Sequence, residues 1–404
     1  MKQLTRYILL VFTACAVLIT SCGKHNNEED KTTPQTIIVY MAGVDLGQYF
    51  TYNREAIKAA LNYNIQGNSR IVVFYQTSKT IASLVEYSFR DGKCQELPLT
   101  TYTLPSQMNA DELGNILSDI IGRTPSISHS LIIGAHGLGW IPIGANPQSS
   151  INSSKLKNFI PLSHSELWER KGDIMTRFIG ENSNPQNRFD VKDLSLALSS
   201  TGITMEYILF DACFMANVES LYDLRNNAKY IIGSPCEIMG TGFPYKDIMP
   251  LLLKNNGTSY DLEAVCEAFY NDYKDDDTYP SGAVSIIRCS QLEPLAQAMK
   301  LVNNSNQIEY KPSLIQTFEG QSKHIFFDLG DYVNKMSDDT QAKESFNEQL
   351  NRTIITTYKP GLFYSGYGTP GKYSLKTFSG LTTSAPSDLY RESYAQTAWY
   401  KATH

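Results

Sequence analysis

Two residues in this chain sit where an apolar run that reads as a buried strand stops. His136 closes Leu131-Ile132-Ile133-Gly134-Ala135-His136-Gly137, and Cys213 closes Tyr207-Ile208-Leu209-Phe210-Asp211-Ala212-Cys213. Short runs rich in Ile and Leu, bounded by Gly or Asp, fit strands of a sheet buried on both faces. In such sheets reacting groups collect at the carboxyl ends of the strands, where the connecting loops open a crevice. A thiol and an imidazole delivered there by two strands are enough for cysteine nucleophilic catalysis. The imidazole takes the proton or stabilises the thiolate, and the thiolate attacks a carbonyl carbon. Singly, each residue also has an ordinary reading, as a small core cysteine or a His-Gly turn; as a pair in this order they point to chemistry.

The elements that must carry the pair alternate along the chain. Strands are expected over 37–42, 71–76, the run ending at His136, the run ending at Cys213, 230–233 and 283–288, with a hairpin through 85–89 and Asp91-Gly92. Helices are expected over 54–61, 111–121, 191–199, from about 218, over 262–273, 292–302 and 342–357. The second of these carries Leu113, Ile116, Leu117, Ile120 and Ile121 at the spacing of a one-sided helix. Such alternation predicts an α/β fold, a mostly parallel sheet with helices on both faces, and puts His136 and Cys213 on neighbouring strands. Cys213 would precede a helix, whose positive end would lower its pKa together with an imidazolium partner. The backbone N–H groups of Cys213 and Gly137 are the natural oxyanion donors. Between His136 and the helix at 191 lies a long polar stretch carrying Lys155, Lys157, Arg170, Lys171, Arg177 and Arg188. Irregular connections of that length inside a domain are usually functional or mobile.

The N-terminus reads as a targeting segment. Lys2 and Arg6 precede an apolar stretch over 7–19, and Ile19-Thr20-Ser21-Cys22 places small residues just before a cysteine. This is a secretory signal with the lipobox pattern of a bacterial lipoprotein, too short for a membrane span. Residues 1–21 would be removed and Cys22 lipidated; an ordinary signal cleaved elsewhere is the alternative. Residues 22–35 form a polar tether. The expected location is the cell envelope, on the outer membrane of a Gram-negative bacterium, facing out or towards the periplasm. Membrane contact would run through the lipid alone.

A net charge of −6, 42% hydrophobic residues and no further long apolar run fit a soluble body, taken as a monomer, without a nucleic-acid footprint. Beyond Cys22 the mature chain has Cys94, Cys213, Cys236, Cys266 and Cys289, sparse and odd in number, which is no disulfide framework. There is no C-x-x-C, H-E-x-x-H or EF-hand spacing, so no cofactor or metal is required. Asp275-Asp276-Asp277 could attract a cation such as calcium, but it reads as a solvated loop.

His136-Gly137 followed by Asp211-Ala212-Cys213 resembles the caspase, legumain and gingipain clan of cysteine peptidases, and within it the clostripain family. The first strand at 37–43, the turn Phe210-Asp211-Ala212-Cys213-Phe214-Met215-Ala216, and the segments 230–237 and 242–245 are similar to that family. Looser matches lie at 327–329, 379–382 and 398–401. The resemblance implies a caspase-like α/β/α sandwich over 36–255 with a C-terminal α+β extension over 256–404 packed on the sheet. It implies an endopeptidase with protein or peptide substrates, working by a Cys-His dyad through an acyl-enzyme and cutting after Arg or Lys. Asp211 would select the basic side chain, although a strand-end turn or helix cap also suits an Asp there. Asp45 would be a second pocket wall, and Ser234, Glu237 and Tyr245 would flank the cleft, with substrate paired as an added strand. The polar stretch after His136 would be cut by the enzyme itself, at Lys155 or Lys157 first. A catalytically silent surface-binding lipoprotein of this fold, and a same-fold peptidase with non-basic selectivity, remain as alternatives.

Overall fold

Runs of β-branched and aliphatic residues set the strands of the sheet: β1 (Thr36–Met41), β2 (Arg70–Gln76), β3 (Ile81–Arg90), β4 (Lys93–Thr103), β5 (His129–Gly134), β6 (Met205–Asp211), β7 (Ala228–Gly233) and β8 (Val284–Arg288). β9 (Phe327–Asp328) pairs with Thr382–Thr383 away from it, and β10 (Ile354–Tyr358) is the last strand of the sheet. The order is β10-β8-β7-β6-β5-β1-β2-β3-β4. The central five strands, β7 to β2, run parallel, and both flanks are antiparallel. The computed structural model describes residues 33–143, 179–180, 187–253 and 259–404. The expected signal segment 1–21, Cys22, most of the tether, Lys155 and Lys157 lie outside the described residues. Among the described residues, no helix is long and apolar enough to cross a membrane.

β1, β5 and β6 are buried at every position, as strands covered on both faces must be. Alternation sends Ile38, Tyr40, Ile133 and Phe210 to one core, under helices Ala110–Arg123, Val191–Ser200 and Leu292–Asn304. It sends Ile37, Val39, Ile132 and Leu209 to the other, under helices Gly47–Ala60, Tyr245–Leu252 and Leu262–Tyr273. The helix expected over 111–121 has its start fixed by Asn109, whose side chain accepts from the Glu112 N–H at 3.0 Å.

Two expectations change. Residues 342–357 are not one helix: helix Thr340–Thr353 stops and β10 begins. Ile354, Ile355, Thr356 and Thr357 are four β-branched residues in a row, which favour an extended strand beside β8. The segment after 255 is also more than a layer packed on the sheet, because β8 and β10 belong to it. Its remainder closes a third apolar cluster, in which Phe318, Phe326 and Phe363 meet Leu138, Trp140 and Phe214.

Candidate active site

Gly134 and Asp211 are register partners across β5 and β6, so His136 and Cys213 each lie two residues beyond the same rung. The turns that carry them touch. A Cβ on Gly137 would lie 2.6 Å from the Cys213 carbonyl oxygen and 3.1 Å from its nitrogen, so only glycine lets the His-Gly turn rest on the nucleophile turn. The His136 N–H donates to the Gly180 carbonyl at 3.2 Å and the Gly180 N–H donates back at 3.3 Å. Close by, the Ile143 N–H donates to Asp190 Oδ1 at 2.7 Å, so the two ends of the polar insertion are stitched together beside the histidine.

Cys213 is partly exposed and its turn is held from several sides. Phe214 adopts φ 60°, a left-handed conformation that costs a non-glycine residue about 1–2 kcal/mol. Its ring stacks on Phe326 at 4.8 Å, and its N–H donates to the Cys236 carbonyl at 3.0 Å. The Ala216 N–H donates to the Ser234 carbonyl at 2.9 Å. Ile238 lies against the sulfur itself: its N–H donates to Sγ at 3.3 Å, and its carbonyl accepts from Sγ at 3.7 Å.

The expected help from a helix is missing. Helix Val218–Asp223 begins well after Cys213 and is capped by Asn217, and a helix dipole acts only within about one turn. Burial, joined by the Glu237 and Asp211 carboxylates, pushes the thiol up to about 12, the backbone amides of Ile238 and of Cys213 itself opposing the rise. In this arrangement Cys213 is a protonated thiol, against the expectation of a lowered pKa.

Asp211 is buried. Its Oδ1 accepts from the Phe243 N–H at 3.2 Å and its Oδ2 from the Tyr245 hydroxyl at 2.9 Å. Burial raises its pKa to about 6, the two bonds opposing the rise. A Cβ on Gly242, where φ is 69°, would lie 2.2 Å from Oδ2, so that glycine is needed for the backbone to reach the carboxylate. Tyr245 therefore serves Asp211; the sequence placed it near the cleft without revealing that partner.

The other expected cleft residues are placed differently. Asp45 lies in the turn Val44–Leu46 after β1, with Oδ2 3.4 Å from His136 Nε2. Glu237 is buried and its Oε2 accepts from the Ser365 hydroxyl at 2.5 Å and the Tyr367 N–H at 3.1 Å. It braces the segment beside Cys213 against the hairpin of strands Leu362–Ser365 and Gly371–Ser374. Ser234 is 1% exposed, and its hydroxyl accepts from the Cys236 N–H at 3.1 Å. The carbonyls of Ser234 and Cys236 accept from the nucleophile turn, through the Ala216 and Phe214 N–H groups.

Elsewhere, His129 lies 3.3 Å from both the Thr124 carbonyl and Ser126 Oγ, and His324 pairs with Glu319 at 2.7 Å. Cys94, Cys236, Cys266 and Cys289 are free thiols like Cys213. Asp276 Oδ1 accepts from the Thr278 and Tyr279 N–H groups at 2.8 Å, capping its own loop. Among the described residues no group of three or more His, Cys, Asp or Glu could hold a metal ion.

Comparison with known proteins agrees with this geometry. The model of the clostripain family matches residues 148–400. A secreted C11 cysteine protease from Bacteroides thetaiotaomicron, iotapain, is 34% identical with a TM-score of 0.79, over 92% of this chain and 99% of that one. A clostripain from the same organism, in complex with the peptide inhibitor BTN-VLTK-AOMK, is 39% identical with a TM-score of 0.51, over 55% of this chain and 97% of that one. An inactive zymogen C11 protease from Parabacteroides distasonis shares the fold at 24% identity and a TM-score of 0.72, over 92% and 99%. A search of curated proteins returned no match. The family match, the iotapain likeness and the sheet that carries His136 beside Cys213 lead to one conclusion: this chain belongs to the clostripain family of cysteine peptidases, hydrolases that act on peptide bonds.

Proposed function

We propose that the chain is an endopeptidase that cuts after Lys or Arg, with Cys213 as nucleophile and His136 as its acid–base partner. The observation that carries the reading is the shared rung of β5 and β6 beneath the two residues, with Gly137 seated on the Cys213 backbone. As the Cys213 proton passes to His136, the sulfur adds to the substrate carbonyl, and the developing oxyanion faces the N–H groups of Gly137 and Cys213. His136 then protonates the leaving amine, and water hydrolyses the resulting thioester.

Asp211, held by Tyr245 and Phe243, supplies the negative charge for a basic side chain. The related clostripain bound to an inhibitor whose VLTK sequence ends in lysine supports that choice. The chain is made as a precursor and cuts itself within the insertion, Lys155 and Lys157 being the favoured sites. Support comes from the protonated thiol, the Ile238 contact on Sγ and an inactive zymogen of the same fold. Cys22 carries the lipid that holds the enzyme at the outer membrane; palmitate labelling that persists in Cys22→Ala would refute this.

A panel of fluorogenic peptides differing only in the residue before the bond tests the activity. Hydrolysis of Lys and Arg substrates, absent in Cys213→Ala, is expected. Equal cleavage of Arg, Ala and Asp substrates would overturn the selectivity. Peptide binding without turnover would favour a silent binding protein instead.

A further inference from the structure

We propose that Asp45 is the positioning residue for His136, holding the ring by Nε2 so that Nδ1 is the atom that exchanges protons with Cys213 and the leaving amine. The proposal rests on His136 being the acid–base group. Asp45 Oδ2 lies 3.4 Å from Nε2, and the two side chains are 23% and 24% exposed. An ionised carboxylate only accepts hydrogen bonds, so the Nε2 that faces it carries the hydrogen and Nδ1 keeps the lone pair. The distance is long for a strong bond, as such contacts often are before substrate tightens them.

The backbone fixes this meeting. Met41 pairs with Gly134 across β1 and β5, the Ala42 N–H donates to the Gly134 carbonyl at 2.9 Å, and the Gly43 N–H donates to Gln76 Oε1 at 2.5 Å. The turn bearing Asp45 is thereby tied to the strand end bearing His136. The other acids near the reacting pair, Asp211 and Glu237, are held by Phe243 and Tyr245 and by Ser365 and Tyr367. Among the described residues, Asp45 is the one whose carboxylate faces the imidazole.

The proton ledger is simple. The S–H proton moves to Nδ1 as sulfur bonds to the carbonyl carbon, giving an imidazolium whose Nε2–H faces Asp45. When the C–N bond breaks, Nδ1 returns that proton to the amine and a thioester remains. Nδ1 next takes a proton from water as the hydroxide adds, and gives it to sulfur as the C–S bond breaks.

The test uses the full chain, incubated until its turnover is constant, with Asp45→Ala, Asp45→Asn, Asp45→Glu and His136→Ala. Asp45→Ala and Asp45→Asn should lower kcat for a Lys amide by about 10²- to 10⁴-fold, as loss of a histidine-orienting carboxylate does elsewhere. KM should stay within about threefold, and Asp45→Glu should recover part of the rate. Nitrogen NMR should find His136 protonated at Nε2 in the unmodified chain, and this preference lost in Asp45→Ala. If one Asp45 variant fails to fold, the other carries the test. A kcat held within about threefold would overturn the proposal, as would an Nε2 preference kept in Asp45→Ala, or a raised KM with unchanged kcat, the mark of a pocket wall. Turnover surviving in His136→Ala would instead overturn the parent reading.

Discussion

Ile238 engages the Cys213 sulfur through both halves of its backbone, its N–H at 3.3 Å and its carbonyl at 3.7 Å. A carbonyl substrate must approach the same sulfur, so residue 238 and the scissile bond compete for it. With the thiol pushed up to about 12, the thiolate at pH 7.5 is about one part in ten thousand or less. Iodoacetamide should therefore alkylate Cys213 at least about a hundredfold more slowly in the uncut chain than in the processed enzyme. Equal rates, followed by intact mass at the Cys213 peptide, would show that the contact restrains nothing.

Cys213→Ala should lower kcat by at least about 10⁴-fold, because binding and oxyanion donors supply only part of the acceleration once the nucleophile is gone. Cys236, Cys266 and Cys289 are buried in apolar clusters, and their alanine variants should keep most of the turnover. Folding of each variant is checked by circular dichroism. Substantial turnover by Cys213→Ala would end the assignment.

Selectivity should titrate. Asp211 has a pKa raised to about 6, so it is ionised at pH 7.5 and protonated well below pH 6. The ratio of kcat/KM for a Lys substrate to that for a neutral isostere, in which the shared catalytic groups cancel, should fall by about tenfold per pH unit below this midpoint. Asp211→Asn should lower the ratio by about tenfold or more at pH 7.5 and remove its pH dependence. Tyr245→Phe deletes a bond that favours the carboxylate, so its midpoint should lie at higher pH. A ratio that is flat from pH 5 to 8 in the unmodified enzyme would refute the assignment.

Incubated wild-type protein should yield fragments ending at a Lys or Arg between about Ile141 and Asp190, whereas Cys213→Ala should stay whole. Lys155→Ala with Lys157→Ala should slow the cut if those are the first sites. A fully active chain that remains uncut would remove self-processing from the account.

Much of the scaffold was legible because β1, β5 and β6 are buried on both faces and leave unbroken apolar runs. Helix Leu262–Tyr273 and the hairpin through Asp91 and Gly92 carry equally local signals. The helix-to-strand change at Ile354 was missed because a helical pattern over 340–353 runs into the β-branched residues without a breaker. Asp211 ends β6, and His136 and Cys213 stand two residues beyond β5 and β6, so their placement followed from strand ends. The partners of Asp45, Glu237 and Tyr245 did not, since each is chosen by a contact across the fold: imidazole, Ser365 and Asp211. No spacing encodes Ile238 lying on the sulfur.

The β5–β6 seam, from Leu131 beside Ile208 to Gly134 beside Asp211, lies on opposite sides of the insertion in sequence. A cleavage between 144 and 178 would turn this ladder, the Ile143–Asp190 bond and the two sheet-covering cores into contacts between separate polypeptides. The histidine would then be inherited by one and the cysteine by the other. Such an enzyme would be a two-chain complex that migrates as one body in native buffer and as two in detergent. Diluting its denatured halves would make recovery of activity second order in protein, a kinetic signature that a single-chain peptidase could not show.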